Sequence, residues 1–284
     1  MYHLAVWSTV LFWGISFIAT KVVVESFDPL PAAFLRFAIA VSFLILVTRK
    51  PLKLNLFSFP LIMAGAWGVT LHFIFENFSL TYTFPTNTSL IVSTVPIFYL
   101  IFSHFVQRKK TIHLHYIGSV IAFIGISLVI LNGRILKLNP LGDILAFGAA
   151  LSWVIYTYYV EKLDDAGSIS STIGILIWGT VFLFPLSFLQ HWELKKIFQP
   201  DVLLSMLYLG LVCSGLAYFL WNLGIKKLGA RYTTNTIYFI PVVTAICEPI
   251  LLKKLPSVMV LLGTGLAITG LWIFQRAEER LKGQ

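Results

Sequence analysis

Four ionisable residues lie inside otherwise apolar stretches of this 284-residue chain: Lys21, Arg36, Glu76 and Glu248. A charged side chain deep in a hydrocarbon layer costs on the order of 3 kcal/mol or more, so each needs a partner, a wet cavity or a task. Glu76 has the richest surroundings. His72 stands four positions before it, on the same helical face, and Asn77 follows it. Desolvation favours the neutral form of a carboxyl, so a carboxylate at such a site could exchange its proton when a solute fills the space beside it. The competing reading makes Glu76 a structural partner of Arg36 or Lys21.

The other three carry similar pairs of readings. Arg36 lies about six residues, or roughly 9 Å, below the end of its helix; it either binds an anion or pins helices through Glu25, Asp28 or Glu76. Lys21 follows Trp13 and Phe17 at four-residue spacing, which puts two aromatics and a cation on one face. Turned inward, that face could hold a substrate carboxylate over an apolar wall; turned outward, Lys21 snorkels. Glu248 precedes Pro249, whose missing N–H frees a helix carbonyl and opens a polar notch, so it either has a coupling role or simply reaches water.

These residues need helices to position them. The chain is 58% hydrophobic and 12% charged, against about 25% charged in an ordinary soluble domain. Runs of roughly 18 to 22 apolar residues are long enough to cross a layer of about 30 Å. Ten helices are predicted, at 4–25, 30–48, 58–80, 84–106, 114–132, 141–160, 169–190, 202–224, 231–252 and 257–275. The formal charge of +9 sits in short clusters between these runs, a pattern of topology control that gives no footprint for nucleic acid. The first run has no Lys or Arg before it and no small-residue cleavage site, so it is expected to remain as a helix. Cys213 and Cys247 each lie inside an apolar run and read as packing residues; no metal-ligand spacing or cofactor motif occurs.

The chain also repeats itself. At an offset of 145 positions Asn77 falls on Asn222, Thr88 on Thr233, Ser89 on Thr234, Pro96 on Pro241, Gly118 on Gly263, Ala122 on Ala267 and Gly125 on Gly270. At an offset of 140 Trp13 falls on Trp153. The expected fold is therefore an all-α membrane protein of ten transmembrane helices in two five-helix repeats, 1–137 and 138–284. Because five is odd, the second repeat is inverted. With both termini inside, 13 Lys and Arg fall on inner segments and seven on outer ones, which favours cytoplasmic termini. Asn77 and Asn222 read as helix-to-helix hydrogen-bonding groups or as specificity groups. Pro96 and Pro241, in mid-helix, should kink and hinge their helices. The four glycines at seven-residue spacing read as contacts between the fifth and tenth helices. Trp153 and Tyr156 are candidate cavity aromatics, with core or lipid-facing placement as the alternative.

"FWGISFIATKVV" from Phe12, "FLRFAIA" around Arg36, "ENFSLTYTFPTNTSLIVSTVPIF" from Glu76, "GDILAFGAALSWVIYTYY" from Gly142 and "WNLGIKKLGARYTTNTIYFIPVV" from Trp221 together resemble the EamA-type branch of the drug/metabolite transporter superfamily. The resemblance implies ten helices in two inverted repeats. It also implies a central cavity lined by helices 1, 3, 4, 6, 8 and 9, and efflux or exchange of small solutes across the inner membrane, with amino acids as a first guess. Relatives often carry a Glu beyond the proline of the fourth and ninth helices, where this chain has Lys109 and Lys254. A different arrangement at those helix ends is expected.

Inverted repeats give a membrane protein two nearly equivalent packings around a central site, which is the basis of alternating access. The leading reading is a secondary transporter, an exporter of small organic metabolites, with lipids around it and a proton or counter-substrate as drive; no Walker motif is present. The alternatives are a receptor or scaffold and an intramembrane enzyme, for which His72, Glu76, His104, His113 and His115 lack any metal spacing. The sequence leaves oligomeric state open.

Overall fold

The computed structural model describes residues 1–48, 56–131, 139–244 and 258–282. They form helices, with no strand among the described residues: α1 (Tyr2–Ser26), α2 (Pro29–Thr48), α3 (Phe59–Tyr82), α4 (Pro85–Val92 continued by Val95–Phe105), α5 (His113–Leu131), α6 (Pro140–Glu161), α7 (Ile169–Ser187), α8 (Pro200–Leu228), α9 (230–244) and α10 (Val258–Lys282). Seven segments are long and apolar enough to cross a membrane, namely α1, α2, α3, Asn87–Phe105 of α4, α6, α7 and α8. The chain is a multi-pass membrane protein. Glu248, with Cys247 and Lys254, lies outside the described residues.

Local chemistry sets the boundaries. The helices α2, α4, α6 and α8 begin on Pro29, Pro85, Pro140 and Pro200, where a missing N–H costs nothing because the first turn has no partner for it. Asn139 caps α6 by accepting from the Gly142 N–H at 3.2 Å, and Ser168 caps α7 by accepting from the Ser171 N–H at 3.0 Å. Gly229, at φ +90°, lets α8 pass directly into α9.

Several irregularities recur at the 145-residue offset. A π-helical stretch occupies Ala66–Leu71 of α3, and another occupies Tyr208–Leu216 of α8, spanning the equivalent positions. A turn at Ser93 and Thr94 breaks α4, and a 3-10 segment at Thr236–Phe239 distorts α9. The prolines thus act one turn earlier than a mid-helix kink: each lacks the N–H that would bond the carbonyl four residues back, Val92 or Ile237, and its ring crowds that carbonyl. Hydroxyls bond carbonyls nearby, Ser93 to Leu90 O at 2.6 Å, Thr94 to Ile91 O at 2.5 Å and Thr236 to Thr233 O at 2.7 Å.

Two contacts join the halves reciprocally. The helices α5 and α10 run antiparallel with backbones in close approach: a Cβ on Gly118 would lie 2.7 Å from Gly270 O, and one on Gly125 would lie 2.6 Å from Gly263 O. Gly118 and Gly263 are equivalent at the 145-residue offset, as are Gly125 and Gly270. The repeat therefore carries each of the two contacts onto the other. Deeper in the bundle, Trp13 meets its equivalent Trp153 edge to face, with ring centroids 5.1 Å apart.

Candidate functional site

A cavity lies among α1, α2, α3, α4, α6 and α9. Trp13, Ser16 and Phe17 face it from α1 at positions one turn apart, Arg36 from α2, His72, Phe73 and Glu76 from α3, and Trp153 from α6. Val92, at the break in α4, and Ile237 and Ile240, beside Pro241, complete its apolar side. Its free volume is about 40 Å³, room for a few waters.

The polar groups have specific roles in this wall. His72 and Glu76 are buried, with Nε2 and Oε2 3.4 Å apart. The His72 Nδ1 lies 2.9 Å from the carbonyl of Ala149, which can only accept, so Nδ1 carries a proton. The Nε2 edge of the ring faces the Glu76 carboxyl one helical turn on. The pair sets an imidazole and a carboxyl side by side in the cavity wall. Arg36 is 3% exposed; its Nε donates to Ser214 Oγ at 2.6 Å, its guanidinium lies 4.3 Å from the centroid of Phe73, and its Nη1 has no hydrogen-bond partner.

The structure gathers Trp13, Phe17, Arg36, Glu76 and Trp153 at this cavity and places the other predicted residues that it describes elsewhere. Lys21 donates to Leu80 O at 2.7 Å and approaches Glu25 at 3.4 Å; partners one turn away near the helix end hold it off the wall. Glu25 is thereby engaged, and Asp28 accepts from the His191 N–H at 2.9 Å. Arg36 forms no ion pair among the described residues, so Lys21, Arg36 and Glu76 do not form one charge network. Asn77 donates to Pro29 O at 3.0 Å on α2, while Asn222 donates to Thr172 Oγ1 at 3.2 Å on α7. The two repeat-equivalent asparagines thus tie equivalent helices. Tyr156 donates to Asn222 Oδ1 at 2.5 Å and is fully buried against Gly68 rather than in the cavity wall, because Gly68 leaves just the space its ring fills.

The wall also departs from the expected helix set. Arg36 brings α2 into it, whereas α8 stands behind, with Trp221 4.8 Å from Trp13 and Ser214 under Arg36. Sequence reasoning passed over Ser16, Phe73, Val92, Ile237 and Ile240. Helical spacing from Trp13 and Glu76 points to Ser16 and Phe73, but nothing in the sequence signals the three aliphatic residues.

Away from the cavity, where α4, α6 and α10 end and α5 and α9 begin, two charged clusters tie helix ends. Lys109 donates to both oxygens of Glu161 at 2.7 and 2.9 Å, and Tyr99 and Gln107 donate to the same carboxylate. Arg231 donates to Lys110 O at 2.7 Å and Thr111 Oγ1 at 2.8 Å, and reaches Glu278, which also meets His115 at 3.1 Å. Partial burial alone would raise the Glu278 pKa, but the His115 hydrogen bond and the Arg231 charge outweigh it and hold the carboxyl below its ordinary value.

Comparison with known proteins bears on this arrangement. The sequence profile of the EamA-like transporter family matches residues 1–131 and again 140–275. An uncharacterized transporter of Archaeoglobus fulgidus is 27% identical, over 94% of this chain and 96% of its own. A probable amino-acid metabolite efflux pump of Salmonella typhimurium is 25% identical, over 93% and 91%. A probable terminal-alkyne amino-acid exporter of Streptantibioticus cattleyicolor is 22% identical, over 96% and 93%. One crystal structure, at 18% identity, superposes with a TM-score of 0.80 over 97% of this chain and 98% of that one; that likeness concerns the fold alone.

Proposed function

Because the chain belongs to the EamA-like transporter family, we propose that it is a secondary transporter that exports small organic metabolites such as amino acids by alternating access. In this reading ten helices span the inner membrane as two inverted five-helix repeats, 1–137 and 138–284, with both termini in the cytoplasm. The observation that carries it is the cavity within the bundle, whose wall joins helices of both halves and holds the buried His72–Glu76 pair and a buried cation. The reciprocal contacts of α5 with α10 and of Trp13 with Trp153 support an axis relating the halves. The names of the Salmonella and Streptantibioticus relatives support amino acids as the solute class.

Glu76 with His72 is the coupling unit. When solute occupies the cavity, the pair gives up its proton to the side that the cavity faces, and regains one when the solute leaves. The breaks ahead of Pro96 and Pro241 are the hinges, since the helices there already lack the bonds that bending would sever. The test compares metabolites in the medium of cells producing the wild type or Glu76→Gln at matched membrane abundance. A compound accumulating outside with the wild type alone, and with a pH dependence that Glu76→Gln removes, is the expected outcome. Equal export with unchanged pH dependence in the variant would remove Glu76 from the coupling step.

A further inference from the structure

We infer that Arg36 is the residue that reads a carboxylate on the transported molecule. This rests on the transport reading above. A guanidinium that is 3% exposed inside an apolar bundle would ordinarily be neutralised by a carboxylate. Here the expected acids are engaged elsewhere, Glu25 with Lys21, Asp28 with the His191 N–H and Glu76 with His72. The side chain is nevertheless held in one pose: Nε is fixed by Ser214, and the face of the guanidinium lies against Phe73. One edge is thus occupied by a neutral hydroxyl, and Nη1 is left without a partner in a residue that lines the cavity. A planar, oriented donor group with an open nitrogen matches a carboxylate better than a point charge would.

The acidic group in the same wall is the Glu76 carboxyl, and Trp13, Trp153 and Phe17 line the same cavity. An α-amino acid fits this set, with its carboxylate on Arg36, its ammonium towards Glu76 and its side chain on the aromatics. Such a ligand adds no net charge to the buried site. The 40 Å³ of free space is smaller than any such ligand, so binding must part the wall, and the hinges at Ser93–Thr94 and Thr236–Phe239 border it through Val92 and Ile237.

The test uses the purified full-length chain in detergent, with thermal stabilisation by each of the proteinogenic L-amino acids and by the matching amino-acid amides. The amide keeps the ammonium and side chain but lacks the carboxylate. At least one acid should stabilise the wild type with a half-effective concentration about tenfold or more below that of its amide, as expected for a charge-assisted bond. Arg36→Gln should abolish that difference, Arg36→Lys should restore part of it, and Ser214→Ala should keep it. Acid and amide acting alike, no acid acting at all, or discrimination surviving in Arg36→Gln would each overturn the assignment. If Arg36→Gln does not assemble, the acid-to-amide comparison on the wild type and Arg36→Lys decides. A merely structural Arg36 would lower stability in every variant without changing the ratio. Export of a compound lacking a carboxylate would sink this assignment and leave transport standing, whereas absence of any exported compound would count against transport itself.

Discussion

Replacing Gly125 by Ala tests the reciprocal contact on which the two-fold reading depends. The new Cβ would stand 2.5 Å from Ala267 N, 2.6 Å from Gly263 O and 2.9 Å from Leu266 Cβ, where ordinary contact begins at 3.4 Å. The nearest atoms are backbone, which cannot swing aside, so α5 and α10 must part by roughly 0.9 Å at this point, the shortfall from ordinary contact. Overpacking of this kind costs about 1–3 kcal/mol, and a gap of this size forfeits about a quarter to a half of each neighbouring dispersion contact. At about 2–4 °C per kcal/mol the melting temperature should fall by several degrees. Gly263→Ala, which meets Gly125 O and Val129 from the other side, should behave alike. The two changes strain one contact, so their combination should cost less than their sum. Gly265→Ala supplies the control, since nothing lies within 4 Å of its Cβ and Ala is the better helix former by about 1 kcal/mol. Melting of the three single variants and the double variant in one detergent reads all of this. If Gly125→Ala proves harmless, or Gly265→Ala proves as damaging, the close approach of α5 and α10 is wrong.

Two further outcomes concern the helix-end clusters. Lys109→Glu places two carboxylates together and should slow export. Adding Glu161→Lys should restore much of it by rebuilding the pair in reverse; failure of that rescue at matched abundance would show that the Lys109–Glu161 contact is not what matters there. Glu278 has a folded pKa below its ordinary 4.5, so the stability it contributes is fully present above about that pH and is lost as pH falls through the folded value. The wild type should therefore lose melting temperature on acidification more steeply than Glu278→Gln. Parallel pH profiles would deny Glu278 that role.

The helices and their repeat are legible in the sequence because burial in lipid demands long apolar runs and close helix contacts demand glycine; Gly118 and Gly125 announce their partners by spacing alone. The interruptions of α4 and α9 are half legible: Pro96 and Pro241 signal them, but the break appears where the lost bond would have been, a turn earlier. Orientation about a helix axis is what the sequence conceals. Lys21 shares a face with Trp13 and Phe17, yet a carbonyl at Leu80 and the Glu25 carboxylate capture it. Tyr156 lies one turn from Trp153, yet its ring fills the space left by Gly68 and its hydroxyl goes to Asn222. Arg36 was expected among acids and instead rests on Ser214, a partner 178 positions away that no local pattern marks. Lys109, which the resemblance marks as a departure, pairs with Glu161, a partner 52 positions away.

The central claim is that the cavity opens to each side of the membrane in turn, and the most direct measurement is the reactivity of a thiol placed in it. Ser16 lines the cavity and is 5% exposed. Ser16→Cys, in a chain with Cys213 and Cys247 replaced by Ala, is treated with a membrane-impermeant maleimide in right-side-out and in inside-out vesicles. Alternating access predicts labelling from both faces. Labelling confined to one face in a protein that still exports would contradict the account.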